Sequence, residues 1–131
     1  LVAGKGTRLQ PLTLSHPKSM FKLDKDTTLM QRMVGLIQKL DDEADIIAVT
    51  GHMHKSIEKE LSNVTFIHNP FYEVTNSIAS LWFAKEYLNT DQVVLIDGDI
   101  VMSETLMRDI VCRPVEAPLI LLDSSIKTDG D

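Results

Sequence analysis

The chain has 131 residues, 44% of them hydrophobic and 24% charged, the balance of one globular domain and not of a disordered or collagen-like segment. Thirteen Lys and Arg against nineteen Asp and Glu leave a net charge of −6, which excludes the basic footprint of a general nucleic-acid binder; an anionic ligand needs a local basic pocket. Apolar runs such as Pro118 to Leu122 are far shorter than the roughly 18 residues of a membrane span, and no basic-then-apolar signal peptide opens the chain, so a cytoplasmic location is the expectation.

The chain opens Leu1-Val2-Ala3-Gly4, a shorter apolar stub than the roughly five or six residues of an ordinary strand. With the polar ending Lys127-Thr128-Asp129-Gly130-Asp131, this makes a piece of a longer protein the expectation. After a loop punctuated by Pro11 and Pro17, the segment 28–40 sets Leu29, Met33, Leu36, Ile37 and Leu40 on one face at helical spacing, with Asp26 or Thr27 as its cap. Residues 46–50 read as a strand closed by Gly51, 56–61 as a helix, and 64–68 as a strand stopped by Asn69-Pro70. A second amphipathic helix is predicted over 77–88, where Ile78, Leu81, Trp82, Lys85 and Leu88 recur at three and four residues behind a cap at Asn76 or Ser77. Val93 to Asp97 is the most strand-like segment of all, followed by a helix near 104–111 and a last strand at 119–122. The single cysteine, Cys112, sits in an apolar, helix-like setting that predicts a buried, inert thiol.

Strands apolar on both faces, separated by helix-length segments, imply an α/β fold with a Rossmann-like, doubly wound, mostly parallel sheet. Ligands of such sheets bind beyond the carboxyl ends of the strands. The loops after Ala3, Thr50, His68 and Ile96 are therefore expected on one rim.

Gly4-Lys5-Gly6 directly follows the first strand, where the chain must turn and backbone amides can face a phosphate. No Gly-Lys-Ser/Thr follows as in a Walker loop, and Leu9 stands where a dinucleotide fingerprint has its third glycine; a plain tight turn fits the two glycines as well. Arg8 and Lys18 add two cations on an acidic chain, whereas Lys5, between the glycines, is expected to face solvent. Asp97-Gly98-Asp99 ends the strand-like run with two carboxylates, which suit a hard cation such as Mg²⁺, although a turn also favours Asp-Gly. The loop 69–81 clusters amide and hydroxyl side chains that can read a base edge, cap a helix, or do both. His16, His52, His54 and His68 show no metal-ligand spacing.

Taken whole, Leu-Val-Ala-Gly-Lys-Gly-Thr-Arg-Leu-Gln-Pro-Leu-Thr-Leu-Ser-His-Pro-Lys over residues 1–18 resembles the signature of the nucleotidyltransferase family, which joins a nucleoside triphosphate to a phosphorylated small molecule. The resemblance implies that Ala3, Gly4, Gly6 and Thr7 wrap the triphosphate, that Arg8 neutralises it, and that Lys18 contacts the reacting phosphates. It makes Asp99 the ligand of a catalytic Mg²⁺ and Asp97 its support. It also makes residues 1–131 the N-terminal, nucleotide-binding portion of a single domain, with a second acidic ligand beyond Asp131; Asp129 and Asp131, in a polar terminal stretch, are expected to be solvated.

The form Asn69-Pro70-x-Tyr72, then Asn76-Ser77-x-x-Ser80-Leu81, looks like the branch holding the bacterial choline-phosphate cytidylyltransferases and related phosphonate cytidylyltransferases. That likeness implies CTP, contacted by Asn76, Ser77 and Ser80, and a small phosphorylated or phosphonylated amine or alcohol as acceptor. For a quaternary ammonium group the loop aromatics Phe71 and Tyr72 are better placed than Trp82 and Tyr87, whose helical spacing suggests packing. Two alternatives stand beside this one. The first is the same chemistry with UTP or dTTP and a sugar 1-phosphate; the second is a non-catalytic, nucleotide-sensing subunit, against which the joint presence of Arg8, Lys18 and Asp99 argues.

Overall fold

The computed structural model describes residues 1–122. After the opening segment and three short 3-10 turns, the first helix, α1 (Leu29–Leu40), begins at a capping box. The Thr28 hydroxyl accepts from the Gln31 amide at 3.2 Å, and the Gln31 side chain accepts from the Thr28 amide at 2.9 Å. Asp26 and Thr27, the caps expected from sequence, instead donate their amides to the Asp24 carboxylate and belong to the preceding turn.

Strand β1 (Ile47–Thr50), helix α2 (His54–Glu60) and strand β2 (Thr65–His68) follow, and the two strands pair in parallel from Ile47 opposite Thr65 to Thr50 opposite His68. Residues 1–3 extend this sheet: Val2 bridges Thr50 in parallel, its amide donating to Val49 at 2.9 Å. On its other side the Leu1 nitrogen donates to the Ile96 carbonyl at 2.6 Å, and the Gly98 amide donates to the Leu1 carbonyl at 2.9 Å. This is the bonding pattern of a parallel ladder. The spatial order is therefore β2, β1, residues 1–3, residues 96–98, so the chain winds outward in one direction and then jumps to the other side of its first segment. A doubly wound sheet has its switch point there.

Two predicted strands do not form. Within 93–97 only the end bonds to Leu1, while Val93, Val94 and Leu95 stay exposed and without regular pairing; residues 119–122 are likewise irregular and exposed. The strand-like composition is present, but among the described residues no further backbone lies alongside to complete a ladder.

Helix α3 (Ser77–Phe83) is capped by Asn76, whose side chain accepts from the Ala79 amide at 3.1 Å, and it stops short of the predicted 77–88 in a 3-10 turn over Lys85–Leu88. The apolar stripe read from its sequence does not face inward: Ile78 is 77% and Trp82 67% exposed, with the Lys85 ammonium 4.7 Å from the centre of the Trp82 ring. Ser80 and Ala84 are the buried positions instead. Helix α4 (Glu104–Cys112) starts at a Ser103 cap. Cys112, expected buried, is exposed at its last turn, because Met107 and Val111 take the face turned to the core.

Helix α1 joins two apolar clusters. Met30 and Val34 pack with Val2, Ala48 and Ile57 against the sheet and α2, while Met33 packs with Met102 and Met107 under α4. No helix among the described residues is long and apolar enough to cross a membrane.

The close approach at the switch point makes one residue sterically demanding. A Cβ on Gly98 would stand 2.0 Å from Val2 Cγ1 and 3.2 Å from the Leu1 carbonyl. Gly98→Ala is expected to destabilise the full-length protein by about 1–3 kcal/mol, as overpacked sites do. A denaturant titration checks this; an unchanged midpoint would show that residues 96–98 do not lie against Val2.

Candidate functional site

At the carboxyl end of the sheet the backbone diverges: residues 4–9 leave the central segment while residues 97–99 leave its neighbour, and a cavity of about 400 Å³ opens between them. Ala3, Gly4, Gly6, Thr7 and Arg8 line one wall, with Lys18 beside them. Asp97 and Asp99 line a second wall, and Asn76, Ser77 and Ser80 from the start of α3 a third. The structure thus brings every triphosphate-, nucleotide- and metal-binding candidate read from the sequence round one cavity, whereas the aromatic candidate Phe71 lies outside it. Asp129 and Asp131 lie outside the described residues.

The two glycines have different reasons. Gly6 is held at φ 65°, and a Cβ there would meet Lys18 Cγ at 2.8 Å and Thr13 Cγ2 at 2.9 Å, so only glycine fits. Gly4 has nothing within 4 Å of a Cβ position, so its missing side chain widens the cavity and does not shape the turn. Thr13 was not distinguished by sequence reasoning. It is 1% exposed and donates its hydroxyl to the Gly6 carbonyl at 2.9 Å, which fixes the loop from beneath. Its only sequence signal is its place within the quoted signature.

The cations are not equivalent. Lys18, partly buried, reaches across Gly6 to the Asp99 carboxylate at 3.2 Å. Arg8 is exposed and makes no ion pair among the described residues. Lys5, expected to face solvent, stays partly exposed and also pairs with Glu73 at 2.8 Å, tying the glycine loop to the loop after β2. Next to Lys18, Ser19 is buried and its hydroxyl oxygen has no partner among the described residues.

Of the four rim loops, that after Thr50 supports the cavity without lining it. His52 donates its amide to the Ala3 carbonyl at 3.1 Å, and a Cβ on Gly51 would overlap both Ala3 and Tyr72. Tyr72 reaches the cavity; Phe71 is 59% exposed and lies near Phe83 instead. Trp82 and Tyr87 are exposed and take no part in the lining. His54 stacks 4.1 Å from His68 and pairs with Glu58 at 2.9 Å, and among the described residues no group of three or more His, Cys, Asp or Glu is placed to hold a metal ion. Asp97 and Asp99 both line the cavity, and Asp99 is paired with Lys18; two carboxylates are a donor set that fits a hard cation completing its shell with water and phosphate.

Two glycines, a guanidinium, an ammonium and two carboxylates gather round this one cavity at the switch point. A family model described as nucleotidyl transferase matches residues 1–113, and the chain belongs to that family. It is 30% identical over 115 residues to a choline-phosphate cytidylyltransferase of Streptococcus pneumoniae, covering 86% of this chain and 48% of that protein. A 2-aminoethylphosphonate cytidylyltransferase of Lancefieldella rimae is 25% identical over 107 residues, covering 79% and 43%. The bifunctional protein GlmU of Francisella philomiragia is 29% identical over 107 residues, covering 80% and 22%. Among solved structures, a CTP:phosphocholine cytidylyltransferase from Streptococcus pneumoniae superposes with a TM-score of 0.60 at 30% identity, over 66% of this chain and 38% of that one. The chain spans about half the length, 48% and 43%, of the first two curated relatives it matches.

The Lys5 pairing has a titration signature. The ammonium holds the Glu73 carboxyl below the usual carboxylate range through a direct hydrogen bond, and Glu73 in turn raises Lys5. Because the Glu73 value is depressed, the tether is present above the ordinary glutamate range and is lost only as pH falls through the lower folded value. A carbon-detected NMR titration of the full-length protein should find Glu73 titrating below the ordinary glutamate range, and Lys5→Met should move it upward toward that range. An unchanged midpoint in Lys5→Met would remove the tether.

Proposed function

We propose that the full-length protein transfers CMP from CTP to phosphocholine, or to a closely related phosphorylated or phosphonylated amine or alcohol, and releases pyrophosphate. The observation that carries this reading is the convergence of Arg8, Lys18 and the Asp97/Asp99 pair on one cavity at the switch point, opposite Asn76, Ser77 and Ser80. The names of two relatives, both cytidylyltransferases acting on small amine-bearing phosphates or phosphonates, support CTP and this acceptor class. In the same reading residues 1–131 form the nucleotide-binding portion of a single catalytic domain.

The chemistry requires two polyanions to meet. An oxygen of the acceptor phosphate forms a bond to the α-phosphorus of CTP as the bond from that phosphorus to the bridging oxygen of pyrophosphate breaks. No covalent enzyme intermediate is needed, so the chain contributes position and charge. The Gly4 to Thr7 backbone lies against the triphosphate, and Arg8 offers a planar fork of donors to its oxygens. Lys18, held in the cavity by Asp99 at 3.2 Å, supplies a mobile point charge that follows the α-phosphoryl group toward the transition state. Asp99 and Asp97 would hold Mg²⁺, which supplies neutralisation of the developing phosphate charge. Tyr72 is the aromatic face available at the cavity for a quaternary amine.

The test is pyrophosphate release by the full-length protein with Mg²⁺, crossing CTP, UTP, dTTP and ATP against phosphocholine, 2-aminoethylphosphonate and glucose 1-phosphate. Turnover confined to CTP with an amine-bearing acceptor is expected. Turnover with a sugar phosphate would replace the acceptor and nucleotide assignment, and nucleotide binding without any turnover would favour a sensing subunit. Lys18→Ala should lower kcat/KM by about 100-fold or more, the scale seen when one donor to a developing oxyanion is removed. Unchanged turnover in that variant would refute the catalytic role of the cavity.

A further inference from the structure

The wall of the cavity opposite the glycine loop is organised by a side chain that does not line it. Asn69, at the end of β2, is 0% exposed, and its amide donates to the Thr50 carbonyl at 2.8 Å. Its side-chain oxygen accepts from the Phe71 amide at 2.8 Å. A backbone N–H can only donate, so that contact fixes which end of the carboxamide is oxygen and which nitrogen, an assignment otherwise open for Asn. The nitrogen then faces the Thr75 and Ser80 hydroxyls at 3.0 Å each and donates one hydrogen to each.

This settles the direction of both hydroxyls. A hydroxyl that receives a hydrogen bond from an amide nitrogen still has its own hydrogen to give, and it cannot give it back to that nitrogen. Thr75 gives its hydrogen to the Phe71 carbonyl at 2.8 Å, closing the loop on itself. Ser80 is 4% exposed, lines the cavity, and has no acceptor for its hydrogen among the described residues. An unspent donor on a buried hydroxyl is costly unless a partner arrives.

We infer that Asn69 is a positioning residue that turns the Ser80 hydroxyl into a one-way hydrogen-bond donor aimed into the cavity, where it takes an acceptor atom of the bound nucleotide. The inference rests on the nucleotide reading of the cavity and adds to it a polarity: the wall selects for an acceptor at that point and against a donor. Asn69 acts only through Ser80.

The near-isosteric Asn69→Asp tests this directly. Its carboxylate still accepts from Phe71 but now also accepts from Ser80, so the Ser80 hydrogen is turned away from the cavity. Calorimetric Kd values are measured for the full-length protein and for its Asn69→Asp, Ser80→Ala, Ser80→Thr and Asn69→Asp/Ser80→Ala variants, using CTP, or whichever of UTP, dTTP and ATP the wild type binds, with melting temperatures alongside. Ser80→Ala is expected to weaken binding about fivefold to tenfold, the scale of one neutral hydrogen bond. Asn69→Asp should weaken it by the same factor, the double variant by no more than either single one, and Ser80→Thr, which keeps the hydroxyl, should bind more tightly than Ser80→Ala. A second readout does not need Asn69→Asp to fold: the Asn69 side-chain amide resonances should move when nucleotide is added to the wild type and to Ser80→Thr, and stay in place in Ser80→Ala. Wild-type binding in Ser80→Ala, or losses that multiply in the double variant, would overturn the inference and leave the nucleotide reading intact. A wild type that binds none of the four triphosphates would overturn both.

Discussion

Leu1 bonds to residues 96–98 in both directions, donating to Ile96 at 2.6 Å and accepting from Gly98 at 2.9 Å, while the next residue donates to Val49 on the opposite side. The opening segment is thereby stitched between β1 and a stretch nearly a hundred residues later, and two loops must leave the sheet at the same place. One carries glycines and cations, the other carries carboxylates. Their divergence creates the cavity, and their separation is set by how closely the two backbones run. Gly98 is the residue that permits that distance, since any side chain would occupy the space of Val2. The charges at the site inherit their positions from this backbone contact and not from each other.

That order matters because the ion pairs are weak. Lys5 with Glu73 and Lys18 with Asp99 are both partly solvent-exposed, and exposed pairs contribute little to stability because water and salt screen them. They suit exchange for the same reason. A partner that already holds a cation loosely can release it to a phosphate at small cost, whereas a buried pair would resist. On a chain of net charge −6, pairing also prevents clustered cations from repelling one another across the glycine loop. Arg8, the cation without a pair among the described residues, is also the one whose guanidinium is least in need of a pre-set geometry, because its planar fork is rigid by itself.

What the sequence makes legible follows from where each signal resides. Helix α1 and strands β1 and β2 are readable because each carries its own apolar pattern: Met33, Leu36, Ile37 and Leu40 reach the core as their spacing requires, although the residues they meet lie far along the chain on α4. The segment at 93–97 has the right composition, but a strand is a relation between two backbones, and only its end finds one at Leu1. Helix α3 misleads for a different reason. Its periodic Ile78 and Trp82 point outward because a polar contact, Ser80 with Asn69, decides which side faces in, and hydrophobic periodicity does not register such a contact. The residues that line the candidate cavity were legible as a set because loop signatures carry residue types with strict chemical demands. Thr13 and Asn69 were not, because their work is hydrogen bonding to backbone and hydroxyls that only the folded chain brings near.

The two walls of the cavity are built on opposite principles, and the difference bears on what each can do. The glycine loop and the strand-end carboxylates present charged side chains on backbone that is itself held, by Thr13 at Gly6 and by Leu1 at Gly98, so it is the side chains and not the loops that can adjust to a ligand. The wall at Asn69, Thr75 and Ser80 is a closed network in which each bond fixes the direction of the next. Burying such a network is worthwhile only when every member is satisfied, and here one donor, on Ser80, is left over at the cavity face. Charge by itself attracts any phosphate brought to it, without regard to the rest of the molecule. Discrimination has to come from the rigid wall, because only a group that cannot turn away penalises the wrong partner.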